Sequence, residues 1–271
     1  MKLLAWDTSS RTGALAALQW DEKAVNASET LRLAAEWTLN VETVHSERLL
    51  WAIHELLESC RWKLEEVDVF GVGIGPGSFT GLRIGVTTAR TLAHLQGKPL
   101  VGVSSLAALA RPVALWAAQQ DQKTTVVAAT DACKGELFAL WGAANKVSGC
   151  VVPSNEEFAG VWKKEVEERV LSPENLMQAI RKEKSQWVAI GEGRNRYLDA
   201  WKTLPRASRL DVPLPFADLV QGRFVAQLAW EGFQAGVARE SLSVHPRYVR
   251  ASDAELKLKA GLLNPGPTRG E

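Results

Sequence analysis

Two stretches of the chain hold residues whose types and spacing could do chemistry. The first is Asp7-Thr8-Ser9-Ser10, which follows the apolar residues 3–6. A carboxylate at the end of a strand can orient metal-bound water while the hydroxyls after it meet phosphate. The same residues also suit a turn in which Asp7 and Thr8 satisfy nearby backbone groups. The second stretch is VGIGPGSFTGLRIGVTTARTLA at 72–93. Its glycines at 73, 75, 77, 81 and 85 do not make Gly-x-Gly-x-x-Gly, and Leu82-Arg83 stands where a P-loop needs Lys-Ser or Lys-Thr. Gly75 and Gly77 around Pro76 allow a sharp turn with positive φ, and Ser78 or Thr80 can cap the helix that follows. The free N–H groups and dipole of such a helix start make a potential anion site.

Within the helix the pattern points to packing instead. Gly81, Gly85, Ala89 and Ala93 recur every four residues, a stripe with almost no side-chain volume. A glycine inside a helix costs roughly 1 kcal/mol relative to alanine, so two of them need a compensating reason. Close backbone approach supplies it, either by the protein's own sheet and the helix at 45–60 or by a helix of a second protein. Arg83, Thr87, Arg90 and His94 form a polar stripe beside it. The glycines are read here as serving packing, with the small stripe admitting a partner helix.

Other chemistry is poorly provided for. The histidines are His45, His54, His94 and His245, and no two stand at i, i+4. Cys60, Cys133 and Cys150 form no Cys-x-x-Cys pair and leave an odd count, which suits a reducing compartment. No metal site and no Ser-His-Asp or Cys-His arrangement can be assembled from local motifs. Asp131 in TDACKGE at 130–136 opens a second strand-turn-strand, but Cys133 and Lys134 replace the small residues that would let a backbone approach phosphate. With 32 basic and 31 acidic residues the net charge is +1, which argues against a strongly basic nucleic-acid surface. The N-terminus does not read as a signal peptide, no apolar run reaches spanning length, and a cytoplasmic protein without a membrane anchor is expected. The 11 tryptophans are scattered, as ordinary packing would have them.

The elements that must position these residues follow from hydrophobic period. Residues 2–6 and 13–20 read as strands with a turn signal at 21–23, and a third strand is expected within 24–39. Leu49, Leu50, Ile53, Leu56, Leu57 and Cys60 share one face of a helix over 45–60. Residues 67–74 and 99–103 are nearly all apolar, as in strands covered on both faces. The second half reads as a helix over 106–120 interrupted at Pro112, strands at 124–132 and 136–142, a helix near 173–184, a strand at 186–193 and a helix near 216–236. An antiparallel meander followed by helix-connected parallel strands is one half of an actin-like, ribonuclease-H-like α/β fold. Expected units are 1–103 with the partner-binding helices, 104–263 with its late helix packing back on the first, and a disordered tail at 264–271.

The quoted glycine segment, with LAWDTSS at 4–10, HSERLL at 45–50, PLVGVSSLAALA at 99–110, DACKGELFAL at 131–140, AIGEGRNRY at 189–197 and HPRYVR at 245–250, resembles the TsaB (YeaZ) family across nearly the whole chain. The resemblance implies an actin-like (ASKHA) fold of two related subdomains with mixed sheets. It also implies a non-catalytic role in forming threonylcarbamoyladenosine beside the tRNA anticodon, in a heterodimer with the transferase TsaD and joined by the ATPase TsaE. Contact with tRNA is expected through that complex, and a homodimer when TsaD is missing. The catalytic paralogue carries a His-x-x-x-His metal pair where this chain has residues 103–108, Val-Ser-Ser-Leu-Ala-Ala. Mapped on this sequence, the partner-binding residues are His45, Ser46, Leu49, Leu50, Ile53, Gly81, Arg83, Gly85 and Ala89. Gly75, Pro76, Gly77, Ser78 and Thr80 supply the turn and cap, and Asp7, Thr8 and Ser9 a vestigial phosphate site. No catalytic residue, metal or cofactor of its own is expected, and a nucleotide at the TsaD interface stays open. The rival reading is an active actin-like ATPase or kinase using the Asp7 hairpin.

Overall fold

Strand β1 (Lys2–Asp7) alternates Leu3 and Ala5 on one side with Leu4 and Trp6 on the other, and all four are buried. A strand apolar on both faces must be covered on both, and the rest of the architecture meets that demand. The computed structural model describes residues 1–21, 31–40, 45–119, 123–148, 166–183, 185–205, 209 and 218–249. The tail at 264–271, most of the turn at 21–23, Cys150 and the side chains of His45 and Ser46 lie outside the described residues.

The first half contains β2 (Thr12–Trp20), β3 (Leu31–Asn40), helix α1 (His45–Cys60), β4 (Val69–Gly75), α2 (Phe79–Leu95) and β5 (Leu100–Ser104). Among the described residues these strands form one sheet of order β3-β2-β1-β4-β5. β1, β2 and β3 are an antiparallel meander, while β4 and β5 run parallel to β1 through helical crossovers. The second half contains α3 (Ser105–Ala118), β6 (Thr124–Asp131), β7 (Leu137–Ala143), α4 (Ala144–Ser148), β8 (Val166–Leu171), α5 (Pro173–Lys182), β9 (Gln186–Ile190), α6 (Glu192–Arg196), α7 (Leu198–Lys202) and α8 (Gly222–Gln234). Its sheet, ordered β8-β7-β6-β9, repeats the first with the fifth strand left out. This is the actin-like plan of two related subdomains.

Three apolar layers hold the sheets. α1 and α2 cover the outer face of the first sheet with Leu49, Ile53, Leu56, Val86 and Ala89. Leu176, Met177, Ile180 and Trp201 of α5 and α7 cover the outer face of the second. Between the sheets, α3 and α8 share one continuous core with both inner faces. The late helix α8 therefore covers β1, β2 and β4 of the first sheet, although it comes from the second half of the chain.

Several elements depart from expectation: the strand expected at 186–193 ends at Ile190 and residues 192–196 are helical, and the short helices α4 and α7 were not expected. Pro112 lies inside α3 without ending it. Interior proline costs about 3 kcal/mol, and the burial of Leu109, Ala110, Val113 and Ala114 around it outweighs that. Strand β8 has no legible apolar alternation in VEERVL, because it pairs at the sheet edge through its backbone with β7. Among the described residues no helix is long and apolar enough to cross a membrane.

Candidate functional site

Asp7 closes β1 and is fully buried. Its Oδ1 accepts from the Ser9 backbone N–H at 2.8 Å and from the Ser9 hydroxyl at 2.6 Å. Its Oδ2 accepts from the Ser105 hydroxyl at 2.5 Å, and that hydroxyl in turn accepts from the Gly75 N–H at 3.2 Å. A Cβ at position 73 would fall on the Asp7 carboxylate, so Gly73 is what leaves room for it. Both oxygens are thus engaged by the chain itself. Buried carboxylates need such partners, because an uncompensated charge in the interior is costly.

The hairpin that follows is packed into α2. Thr8 donates its hydroxyl to the Gly81 carbonyl at 2.7 Å, and the Trp6 indole donates to the Gly85 carbonyl at 3.1 Å. A Cβ at 81 would strike the Thr8 carbonyl, one at 85 the Thr8 hydroxyl, and one at 77 the Ser9 carbonyl. The Ser78 N–H donates to that Ser9 carbonyl at 2.6 Å. Ser78, rather than Thr80, is the N-cap, its hydroxyl accepting from the Gly81 N–H at 3.2 Å. Gly75 has a positive φ of 107°, whereas Gly77 is required by proximity to Ser9 rather than by its dihedral.

These contacts correct the expectation that the small stripe admits a partner helix. Gly81, Gly85, Ala89 and Ala93 are buried against the chain's own hairpin and first sheet. The close approach is real, but the backbone that approaches is residues 8 and 9. Leu49 and Ile53, also expected at a partner surface, are core residues of α1. Leu50 and Arg83 do face solvent. Beside Leu50 lies Trp51, 52% exposed and 5.9 Å from the half-buried Trp37 ring, a residue that the apolar stripe of α1 gave no reason to single out.

A cleft of about 860 Å³ separates the two lobes. Ser9, Ser10, Arg11 and Ser78 line it from one side, and Thr130, Asp131, Cys133 and Arg196 from the other. Asp131 stands at the end of β6 as Asp7 stands at the end of β1. It too is engaged: Arg196 pairs with Oδ2 at 3.1 Å, and Oδ1 accepts from the Tyr197 hydroxyl at 3.2 Å and the Cys133 N–H at 3.1 Å. Burial first, and then the Asp131 charge, push the Tyr197 phenol above its ordinary value. The hairpin tip after it holds Cys133, Lys134 and Gly135 at φ of 60°, 54° and 79°. Two of these are side-chain-bearing residues in a conformation that favours glycine.

At the junction of β5 and α3, where the catalytic paralogue's metal pair would map, Ser104 caps the helix. Its hydroxyl accepts from the Ala107 N–H at 3.1 Å and donates to Glu168 at 2.9 Å. Among the described residues no three His, Cys, Asp or Glu side chains come together as metal ligands.

Comparisons with known proteins bear on the family and the fold. A sequence model of the family described as TsaD, tRNA N6-adenosine threonylcarbamoyltransferase, matches residues 40–185. The tRNA threonylcarbamoyladenosine biosynthesis protein TsaB of Escherichia coli K12 is 29% identical over 263 residues, 95% of this chain and 98% of that one. TsaB of Bacillus subtilis is 39% identical over 110 residues, 41% of this chain and 44% of that one. Among solved structures, a Pseudomonas aeruginosa protein described as similar to peptidase YeaZ superposes with a TM-score of 0.67 at 25% identity, covering 92% of this chain and 99% of its own. With the family model matching more than half of the chain and TsaB relatives aligning along nearly all of it, the chain belongs to the TsaD-like threonylcarbamoyltransferase family and, within it, to the TsaB (YeaZ) group.

Proposed function

We propose that the chain is a non-catalytic subunit for threonylcarbamoyladenosine formation on the tRNA adenosine beside the anticodon, working in the cytoplasm by docking a TsaD-type transferase with TsaE as third component. The observation that carries this reading is the closure of the first hairpin. In an actin-like ATPase the corresponding residues would face phosphate and metal-bound water. Here Ser9 and Ser105 occupy both Asp7 oxygens, and Gly81 occupies the Thr8 hydroxyl. The pattern supports a scaffold that kept the fold and gave its reactive hairpin to packing. Among the residues that stay outward on α1 and α2 are the apolar Leu50, Trp51 and Phe79 and the cationic Arg83, a mixture of aromatic and arginine side chains that suits a docking surface. The same exposed face can pair with its copy about a two-fold axis, so self-association is expected when the transferase is absent.

Reconstitution tests the reading. TsaD, TsaE, tRNA and the activated threonylcarbamoyl donor are combined with and without this chain, and modified nucleosides are read by mass spectrometry. Modification that requires the chain, with none from the chain alone, is the expected result. Full modification without it, or stoichiometric ATP hydrolysis by the chain alone that is lost in Asp7→Asn, refutes it in favour of the actin-like ATPase.

A further inference from the structure

After α8 the chain pairs Arg239 with Leu100 of β5, makes a short 3-10 turn at Ser241–Ser243, and buries Val244 in the core beneath α2. The residues that follow make two separate sets of contacts. Toward α2, the Tyr248 ring lies 4.9 Å from that of Phe79, and its hydroxyl accepts from Arg83 Nε at 3.2 Å. The Arg83 guanidinium in turn sits 4.1 Å from the Phe79 ring centre, a cation–π contact. Toward the lobe junction, the Arg247 N–H donates to the Ile74 carbonyl at 2.8 Å, extending the pairing at the end of β4. The Arg247 side chain forms an ion pair with Glu168 of β8, in the second sheet. Glu168 is only 7% exposed and also accepts from Ser104, the cap of α3. Arg247 and Tyr248 are neighbours in sequence, so one peptide unit joins the outer face of α2 to a partly buried link between the two sheets.

We infer that residues 244–249 are a strap that couples the outer face of α2 to the junction of the two lobes, so that a protein docked against Phe79, Arg83 and Tyr248 changes the stability of the Arg247–Glu168–Ser104 link. Docking on this face rests on the proposed function; the mechanical coupling rests only on the strap's own contacts. A short segment held at both ends transmits displacement because neither anchor can move without dragging a planar peptide past the other. Opening at the junction widens or narrows the interlobe cleft, since Ser105, which bonds Asp7, directly follows Ser104.

Amide hydrogen exchange on the purified chain tests the coupling without any partner. Glu168→Gln keeps the shape and removes the charge, and exchange at residues 104–107 and 245–248 is expected to rise at least about fivefold while the melt stays cooperative. The decisive variant is Phe79→Ala, which touches only the α2 end of the strap. It is expected to raise exchange at 104–107 as well, and the double variant to show less than the product of the two effects. Unchanged exchange at 104–107 in Phe79→Ala, or strictly multiplicative effects, overturns the strap. Should either variant fail to fold, Tyr248→Leu is the substitute, read at the same amides. Adding the transferase to the wild-type chain is expected to alter protection at 104–107. Absence of any complex would count against the docking proposal, while the exchange of the isolated variants still decides the coupling.

Discussion

Gly85 shows how little room a single position leaves. Its missing Cβ is the space taken by the Thr8 hydroxyl, and the Gly81 carbonyl one turn earlier is that hydroxyl's acceptor. We expect Gly85→Ala to destabilise the fold by about 1–3 kcal/mol, the range for overpacking a close contact, measured by urea denaturation. The cost should fall when Thr8→Ala is added, because the obstructing atom is then gone; a double variant whose loss is the simple sum would refute the contact as its cause. The glycine spacing was legible in the sequence as a demand for close approach. What approached was not, because a stripe of small residues has the same appearance whether the neighbour is the protein's own hairpin or another chain.

At the scale of elements, α1 divides into a buried stripe and an outward pair. Leu49, Ala52, Ile53 and Leu56 enter the core, whereas Leu50 and Trp51 stay 56% and 52% exposed. Of the face that helical period assigned, Leu49, Ile53, Leu56 and Leu57 are buried, Cys60 is half-buried, and Leu50, one residue off the buried line, is exposed, while Ala52 enters the core without having been assigned to that face. We expect Trp51→Glu to weaken the complex with a TsaD-type transferase at least about 30-fold, as a central aromatic contact would, with stability lowered by only about 0.5–1.5 kcal/mol through loss of the Trp37 contact. Titration calorimetry against the transferase checks the first and thermal melting the second. Unaltered affinity in a folded variant would move the docking surface away from α1. The same substitution should reduce any self-association seen by light scattering, since an exposed apolar face is what a second copy would cover.

At the scale of the whole molecule, two sheets of like topology are held by helices that cross the boundary between them. Arg111 of α3 pairs with Glu231 of α8 and reaches the Ser148 carbonyl at the end of α4, so one buried guanidinium ties together three helices of the second half, among them the two that lie between the sheets. Burial raises the Glu231 carboxyl above the ordinary carboxylate range, with Arg111 and Gln227 pulling it partly back. A carboxyl raised in the folded state binds its proton more tightly there than in the unfolded chain. Its contribution is therefore fully present below the ordinary carboxylate range and is lost as pH rises through the raised value. The melting temperature of the wild type relative to Glu231→Gln should accordingly fall as pH is raised from about 4 to about 8. A difference that is flat or rises over that range contradicts the assignment.

By itself the sequence determined the succession of strands and helices in most of both halves, because burial on both faces of β1, β4 and β5 leaves no polar interruption to misread. It also determined that the glycines at 81 and 85 answer a demand for close approach, and that the hairpin at Asp131 departs from a phosphate-binding composition, whereas the steric need at 73 and 77 appeared only in the structure. Only the tertiary structure decided where those demands are met. Asp7 and Ser105 are 98 positions apart, Arg83 and Tyr248 are 165 apart, and Arg247 and Glu168 are 79 apart. Local pattern carries no information about such pairs, since each residue alone is compatible with solvent, a ligand or a partner. The folding of β1, β4 and α3 around one carboxylate is what gives Asp7 its partners within the chain.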